Sequence, residues 1–303
     1  ETVQIRRDLN LAQWNLPAPT STLPIIKPKT VLLTGATGFV GAFLLRSLLR
    51  QTDHPVVCLV RGSDTQEAES KLWKTLKQFL IALIDQEKAR IRVLAGDLEK
   101  PLFGLGDAQF TELAQSIDSI LHCAARVNAV LPYNHLRQAN VAGTVDIIRL
   151  SLTRKDGIIP INHVSTLSVL TPNVLDSEES DPVIDESAQL CSEPELITQL
   201  DGYSASKLVA ELLLKQAAEQ LGIPVRIFRP GSVSGDSKTG ASNQEAFVNR
   251  LILGCLQLKA CPVVENHTGL DWAPVDYVAD AIVHISQQDR NDKYTVFHTN
   301  NPQ

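Results

Sequence analysis

Methionine is absent from all 303 residues, position 1 included. A chain that opens on glutamate is expected to be an excised or processed piece; the remaining absence has no physical account. No CxxC pair occurs among the five cysteines Cys58, Cys123, Cys191, Cys255 and Cys261. Their odd number and wide dispersion argue against disulfides and a zinc site, and fit reduced thiols in a cytoplasmic protein. No apolar run reaches the roughly 18–20 residues that span a bilayer, and no signal-peptide pattern opens the chain. There is no basic block, and 28 Lys and Arg face 34 Asp and Glu for a net charge of −6. Nucleic acid and anionic membranes are therefore not expected partners. No internal repeat is visible.

What is present is ordinary globular material, 44% hydrophobic and 20% charged. The length suits one large α/β domain, or a core with a smaller subdomain. The first 29 residues hold Pro17, Pro19, Pro24 and Pro28, and read as an extended linker or arm after some preceding segment. Apolar runs then alternate with amphipathic segments. Strands are expected at 30–35, 55–60, 91–97, 117–125, 158–166 and 223–231, and helices at 41–51, 70–84, 135–153 and 204–222. This alternation implies βαβ units and a doubly wound, Rossmann-type parallel sheet, with ligands beyond the carboxyl ends of its strands. A core over 30–230, completed by 271–298, would carry part of a small substrate subdomain at 231–270. Residues 171–200 are acidic, with three prolines, and read either as an excursion over the active-site edge or as a disordered loop.

"TGATGFVG" places Gly35, Gly38 and Gly41 between a strand and a helix. Glycines there permit a tight turn, and the helix N-terminus presents free N–H groups to a pyrophosphate. Close packing alone is the competing explanation. About 20 residues on, the second strand ends in Arg61, whose planar fork of donors suits a ribose 2′-phosphate. That points to NADP(H), although Asp64 lies near enough to keep NAD open. Asp97 and Leu98 end the third strand where an adenine could lie, and Ala124 and Ala125 end the fourth in side chains small enough for a cofactor to lie on the backbone. His122 and His163 have no metal-ligand spacing and read as structural.

At the other end, "HVST" closes the fifth strand with Ser165 and Thr166, and "DGYSASK" opens the next helix. Tyr203 and Lys207 stand at i,i+4 and so share a helix face. An acid for a carbonyl oxygen is what a hydride donor needs. A free tyrosine titrates near pH 10, and an adjacent ammonium is expected to lower that value.

With these residues in place, the chain resembles the extended short-chain dehydrogenase/reductase superfamily over about residues 30–298. The stretches "AARVNAVLPYNHLRQANVAGT", "HVSTLSV", "RPGSVSGDS" and "PVDYVADAIVHIS" resemble the thioester reductase domains of nonribosomal peptide and polyketide synthases, and of carboxylic acid and aminoadipate reductases. The resemblance implies a triad of Thr166, Tyr203 and Lys207, with Ser165 beside it and Asn140 supporting it from a helix. Gly35, Thr37, Gly38, Phe39, Val40, Gly41, Arg61 and Lys71 would hold NADPH phosphates. Pro230, Gly231 and Val233 would line the nicotinamide side. The implied partner is an acyl or peptidyl carrier protein bearing a phosphopantetheine thioester, and the implied state is a monomeric domain of a multidomain synthase. The family normally continues past "YTVFHTNN", so the substrate subdomain is expected to be incomplete. Another extended short-chain reductase or a sugar-nucleotide epimerase or dehydratase on the same scaffold, acting on a free small molecule, and a dinucleotide-sensing module are the alternatives.

Overall fold

The computed structural model describes all residues except 19–23, 26–28, 129, 173–183, 263–271, 289–291 and 301–303. Seven strands form a wholly parallel sheet: β1 (Val31–Thr34), β2 (Val56–Val60), β3 (Ile91–Ala95), β4 (Ser119–His122), β5 (Ile161–Val164), β6 (Val225–Pro230) and β9 (Tyr294–Thr299). Their order is β3-β2-β1-β4-β5-β6-β9. The sequence direction reverses between β1 and β4, and that reversal opens the crevice where doubly wound folds bind ligands. Two short strands, β7 (Ser232–Ser234) and β8 (Trp272–Pro274), pair separately beyond β6.

Both faces of the sheet are covered, which is why its strands read as continuous apolar runs. Side chains alternate between the faces. Leu32, Val57, Leu59 and Ile120 enter one core with the helices Gly143–Thr153 and Gly202–Leu221. Val31, Leu33, Val56, Cys58 and Leu121 enter the other, with Phe39–Gln51 and Val275–Ser286.

Several elements differ from the sequence reading, and three of them have a clear cause. The helix expected at 70–84 runs Thr65–Gln78. It starts early because the Asp64 carboxylate caps it, accepting from Glu67 N at 2.8 Å. It stops early because Leu80 takes φ +55°, and Ile81 N–H turns back to Leu76 O at 2.8 Å. That turn buries Phe79 and Ile81 and leaves Leu80 exposed. The N-terminal arm is not wholly extended. Thr2–Asp8 is a helix and Leu11–Trp14 a 3-10 turn, both ahead of the first proline. Ile5 is fully buried, and Asp8 accepts from Tyr133 OH and from Arg137 Nε and Nη2, each at 2.6 Å. Finally, the helix over 135–153 contains a π turn at Gln138–Ala142, with Asn140 inside it. Such turns put one residue out of helical phase and recur at functional sites. Of the acidic stretch 171–200, residues 173–183 lie outside the described residues, and Pro194–Ile197 forms one helical turn.

Candidate active site

A cavity of about 790 Å³ lies beyond the carboxyl ends of the central strands. It runs from the glycine loop to the start of the helix Gly202–Leu221, and the sequence-predicted residues line it with two exceptions.

At the glycine loop, each glycine has a different reason. Gly35 has φ +82°, and a Cβ there would meet Ala124 N at 2.7 Å. A Cβ on Gly41 would meet Gly35 O at 1.9 Å, so this glycine lets the helix pack on the turn. Gly38 is different: its Cβ would come only to 3.3 Å of Gly35 O. Packing does not demand glycine at 38, whereas close approach of a phosphate to the helix N-terminus does. The loop thus fits a dinucleotide pyrophosphate. Arg61 lines the cavity at the end of β2. Asp64 is not among the residues that line the cavity, and its Oδ1 caps the helix Thr65–Gln78.

The two exceptions are Lys71 and Asn140. Lys71 lies outside the cavity: its Nζ donates to Arg61 O at 3.0 Å and pairs with Glu67 at 2.6 Å. Asn140 is buried behind the wall. Its Oδ1 accepts from Arg126 N at 2.7 Å, and its Nδ2 donates to Arg126 O at 3.1 Å and Ser206 Oγ at 2.9 Å. It therefore ties the cofactor-side loop after β4 to the helix bearing Tyr203.

That helix starts where the Asp201 carboxylate accepts from Tyr203 N and Ser204 N, both at 3.0 Å. Gly202 lets it approach the backbone that leads into the helix Tyr133–Arg137, since a Cβ there would meet Leu131 O at 2.3 Å. The two hydroxyls after β5 have separate duties. Ser165 Oγ donates to Glu211 Oε2 at 2.7 Å, which commits its proton to a carboxylate. Thr166 Oγ1 only accepts, from Ser168 N at 3.3 Å and Ser168 Oγ at 3.2 Å. Its own proton remains available to a carbonyl oxygen in the cavity.

Burial pushes the Tyr203 phenol above its ordinary range, with Cys123 and Asp201 acting the same way. The expected lowering by Lys207 is not present. Lys207 Nζ is turned instead to Val164 O at 2.7 Å and His163 Nε2 at 3.0 Å. Burial brings Lys207 down to about 8, against Cys123 and Glu211, which favour its charged form. Burial pushes the Cys123 thiol itself up to about 12. A protonated phenol beside a cationic lysine is the state an acid catalyst needs before it gives its proton.

Three features were missed in the sequence. His163, read as structural, touches Lys207 directly. Glu211 is fully buried and pairs with the buried Arg229 through Nη2 and, at 3.0 Å, through Nε. Its position four residues after Lys207 on the same face was the available signal. Asn243 and Ala246, just ahead of the helix Phe247–Leu258, add a rim that no motif marked. Among the described residues no group of His, Cys, Asp and Glu could hold a metal, and no helix is long and apolar enough to cross a membrane.

The family model described as Male sterility protein, an NAD-binding family, matches residues 33–282. A linear gramicidin synthase polypeptide of Brevibacillus parabrevis is 41% identical over 90% of this chain, and the match covers 5% of that protein. Glycine betaine reductase ATRR of Emericella nidulans is 39% identical over 90% of this chain and 21% of its own length. The crystal structure of the terminal R domain from the myxalamid PKS-NRPS biosynthetic pathway superposes with a TM-score of 0.87. It is 38% identical, with 100% of this chain and 74% of that chain covered. The chain thus spans a small part of the curated relatives it matches. It belongs to the NAD-binding family described as Male sterility protein, among the reductase domains of nonribosomal peptide and polyketide synthases.

Proposed function

We propose that this domain uses NADPH to release an acyl or peptidyl chain from a carrier-protein phosphopantetheine thioester, as an aldehyde and then, by a second reduction, an alcohol. The observation that carries this reading is the split of duties at the catalytic end. Thr166 keeps a free proton, Tyr203 holds one, and Lys207 is fixed between the two strand-end groups that it touches.

The bound cofactor would supply hydride to the thioester carbonyl. Gly38 and the helix N-terminus would hold its pyrophosphate, and Arg61 its 2′-phosphate. Within this chain, Thr166 Oγ–H and Tyr203 O–H donate to the carbonyl oxygen, stabilising the negative charge that develops there. Tyr203 then gives up its proton, and the Lys207 ammonium stabilises the phenolate left behind. The hemithioacetal O–H returns its proton to the Tyr203 phenolate as the C=O forms and the C–S bond breaks, and the leaving thiolate takes a proton from solvent, which yields aldehyde and free pantetheine thiol. Support for NADPH over NADH comes from Arg61 at the cavity edge and from Asp64, which is not among the residues that line the cavity. The same placement counts against an epimerase that retains NAD. The similarity to a peptide synthase and to a terminal R domain supports a carrier-bound substrate.

The test is product analysis with a panel of acyl-pantetheine thioesters, separately with NADPH and NADH. Aldehyde or alcohol should appear together with thiol, at least about tenfold faster with NADPH. Nucleotide binding without turnover of any thioester or free aldehyde would support the sensing module instead.

A further inference from the structure

The lysine of the site is held by a partner that the reaction scheme does not use. An ammonium has three N–H donors and no acceptor. Two of those on Lys207 are taken by Val164 O at 2.7 Å and His163 Nε2 at 3.0 Å. The third is left for the cavity that Lys207 lines. Because Lys207 donates, His163 Nε2 must be the unprotonated nitrogen, and the ring proton sits on Nδ1. That Nδ1 is buried and has no hydrogen-bond partner among the described residues.

The orphan N–H is informative. A flat apolar ring would fill the same space without burying an unsatisfied donor. The imidazole carries that penalty, so its use must lie in Nε2. The neighbouring ring sets the contrast. His122 packs on His163 with centroids 5.1 Å apart, and both of its ring nitrogens have partners. Thr144 Oγ1 gives its proton to Asn140 O at 2.7 Å, so it must accept from His122 Nε2 at 3.2 Å. His122 Nδ1 then accepts from Thr34 Oγ1 at 2.7 Å. The two adjacent histidines therefore carry opposite tautomers. Burial, with Lys207, holds both well below the usual imidazole range, so neither competes with Lys207 for a proton.

We infer that His163 is a positioning residue of the reductase site: its Nε2 lone pair tethers the Lys207 ammonium at the end of β5 and favours its charged form. The inference rests on the reductase reading given above. The titratable and charged groups around Lys207 are His122 and Cys123 from β4 and the residue after it, His163 from β5, Tyr203 and Glu211 from its own helix, and Arg229 from β6 through Glu211. Of these, His163 is the neutral acceptor in direct contact with Nζ. Removing it should make the lysine lose its proton at lower pH.

The experiment compares His163→Phe, which keeps a ring and removes the acceptor, with His163→Gln, whose amide oxygen reaches toward the Nε2 position. Nitrogen NMR of the histidine-labelled wild-type protein, without nucleotide, should show His163 bare at Nε2 and His122 protonated there. In lysine-labelled protein, the Lys207 titration, assigned by its loss in Lys207→Met, should move down by about one pH unit in the Phe variant. It should stay within about 0.3 unit of wild type in the Gln variant. With NADPH and thioester, kcat should fall at least about tenfold in Phe and recover to within about threefold in Gln, and the alkaline limb should follow the lysine. A protonated His163 Nε2 in the wild type overturns the tether even if the Phe variant does not fold. So does a Phe variant whose lysine titration and kcat are both unchanged. Correct tautomers and lysine shift, in a protein that turns over no thioester, would instead sink the reductase reading and leave the tether standing.

Discussion

At one end the cavity wall is backbone, and at the other it is side chains held by other side chains. Around Gly35, Gly38 and Gly41 the shape follows from what a Cβ would strike. Around Thr166, Tyr203 and Lys207 it follows from which proton is committed to which acceptor. The first kind of wall tolerates no bulk at Gly35 or Gly41. The second tolerates bulk and fails when an acceptor or donor is removed. Substitutions at the two ends should therefore separate binding from turnover.

The largest effect is expected at Tyr203. Tyr203→Phe removes only the acidic proton, and kcat should drop by about 10²–10⁴-fold with NADPH affinity within about threefold, as read by nucleotide titration and by steady-state rates. The two strand-end hydroxyls come next and should part company. Thr166→Ala should cost about 10²-fold or more in kcat, because a donor to the developing oxyanion is lost. Ser165→Ala should leave kcat within a few-fold and lower stability by about 1 kcal/mol, since its proton serves the buried Glu211 carboxylate. Equal losses in the two variants would erase the distinction between these hydroxyls.

The glycines test the backbone end. Gly41→Ala should cost on the order of 3 kcal/mol or prevent folding, because its Cβ overlaps Gly35 O. Gly38→Ala should fold with a loss of about 1 kcal/mol or less yet bind NADPH at least about tenfold more weakly. Thermal melts with and without nucleotide read both. Arg61→Ala should raise KM for NADPH by about tenfold to a hundredfold and leave NADH little changed, the size expected for losing charged hydrogen bonds to one phosphate.

The smallest effect is in the pH profile, and its sign is specific. Lys207 titrates at about 8 in the folded protein against an ordinary value of 10.5. Between these values the unfolded chain holds more protons than the folded one. This group's contribution to stability therefore rises with pH across that window. Turnover should move the opposite way and decline as pH passes about 8, because the ammonium loses its charge. Denaturant melts and rate profiles of wild type and Lys207→Met, from about pH 7 to about pH 10, would show whether both slopes belong to this side chain.

The same contrast explains what could be read in the sequence. Glycine spacing, apolar strands and the Tyr203–Lys207 interval are local, so the parallel sheet, its order class and most of the cavity lining were legible. Helix limits failed where a polar cap at Asp64 or a left-handed Leu80 outweighed apolar periodicity. The N-terminal helix was hidden because the prolines that follow it dominated the reading of its segment. His163 was read only as structural and Glu211 was missed because their partners lie 44 and 46 residues away in the chain. Only folding shows which proton each one binds.

The most direct test follows one hydride and one proton together. NADPH deuterated at the transferred position would be mixed with enzyme and an acyl-pantetheine thioester in a single turnover, and the aldehyde and thiol quantified by mass spectrometry. The account predicts deuterium at the aldehyde carbon with an equal amount of free thiol in the wild type. It predicts both lost together in Tyr203→Phe, with NADPH still bound. Tyr203→Phe releasing deuterated aldehyde at close to the wild-type rate would contradict it.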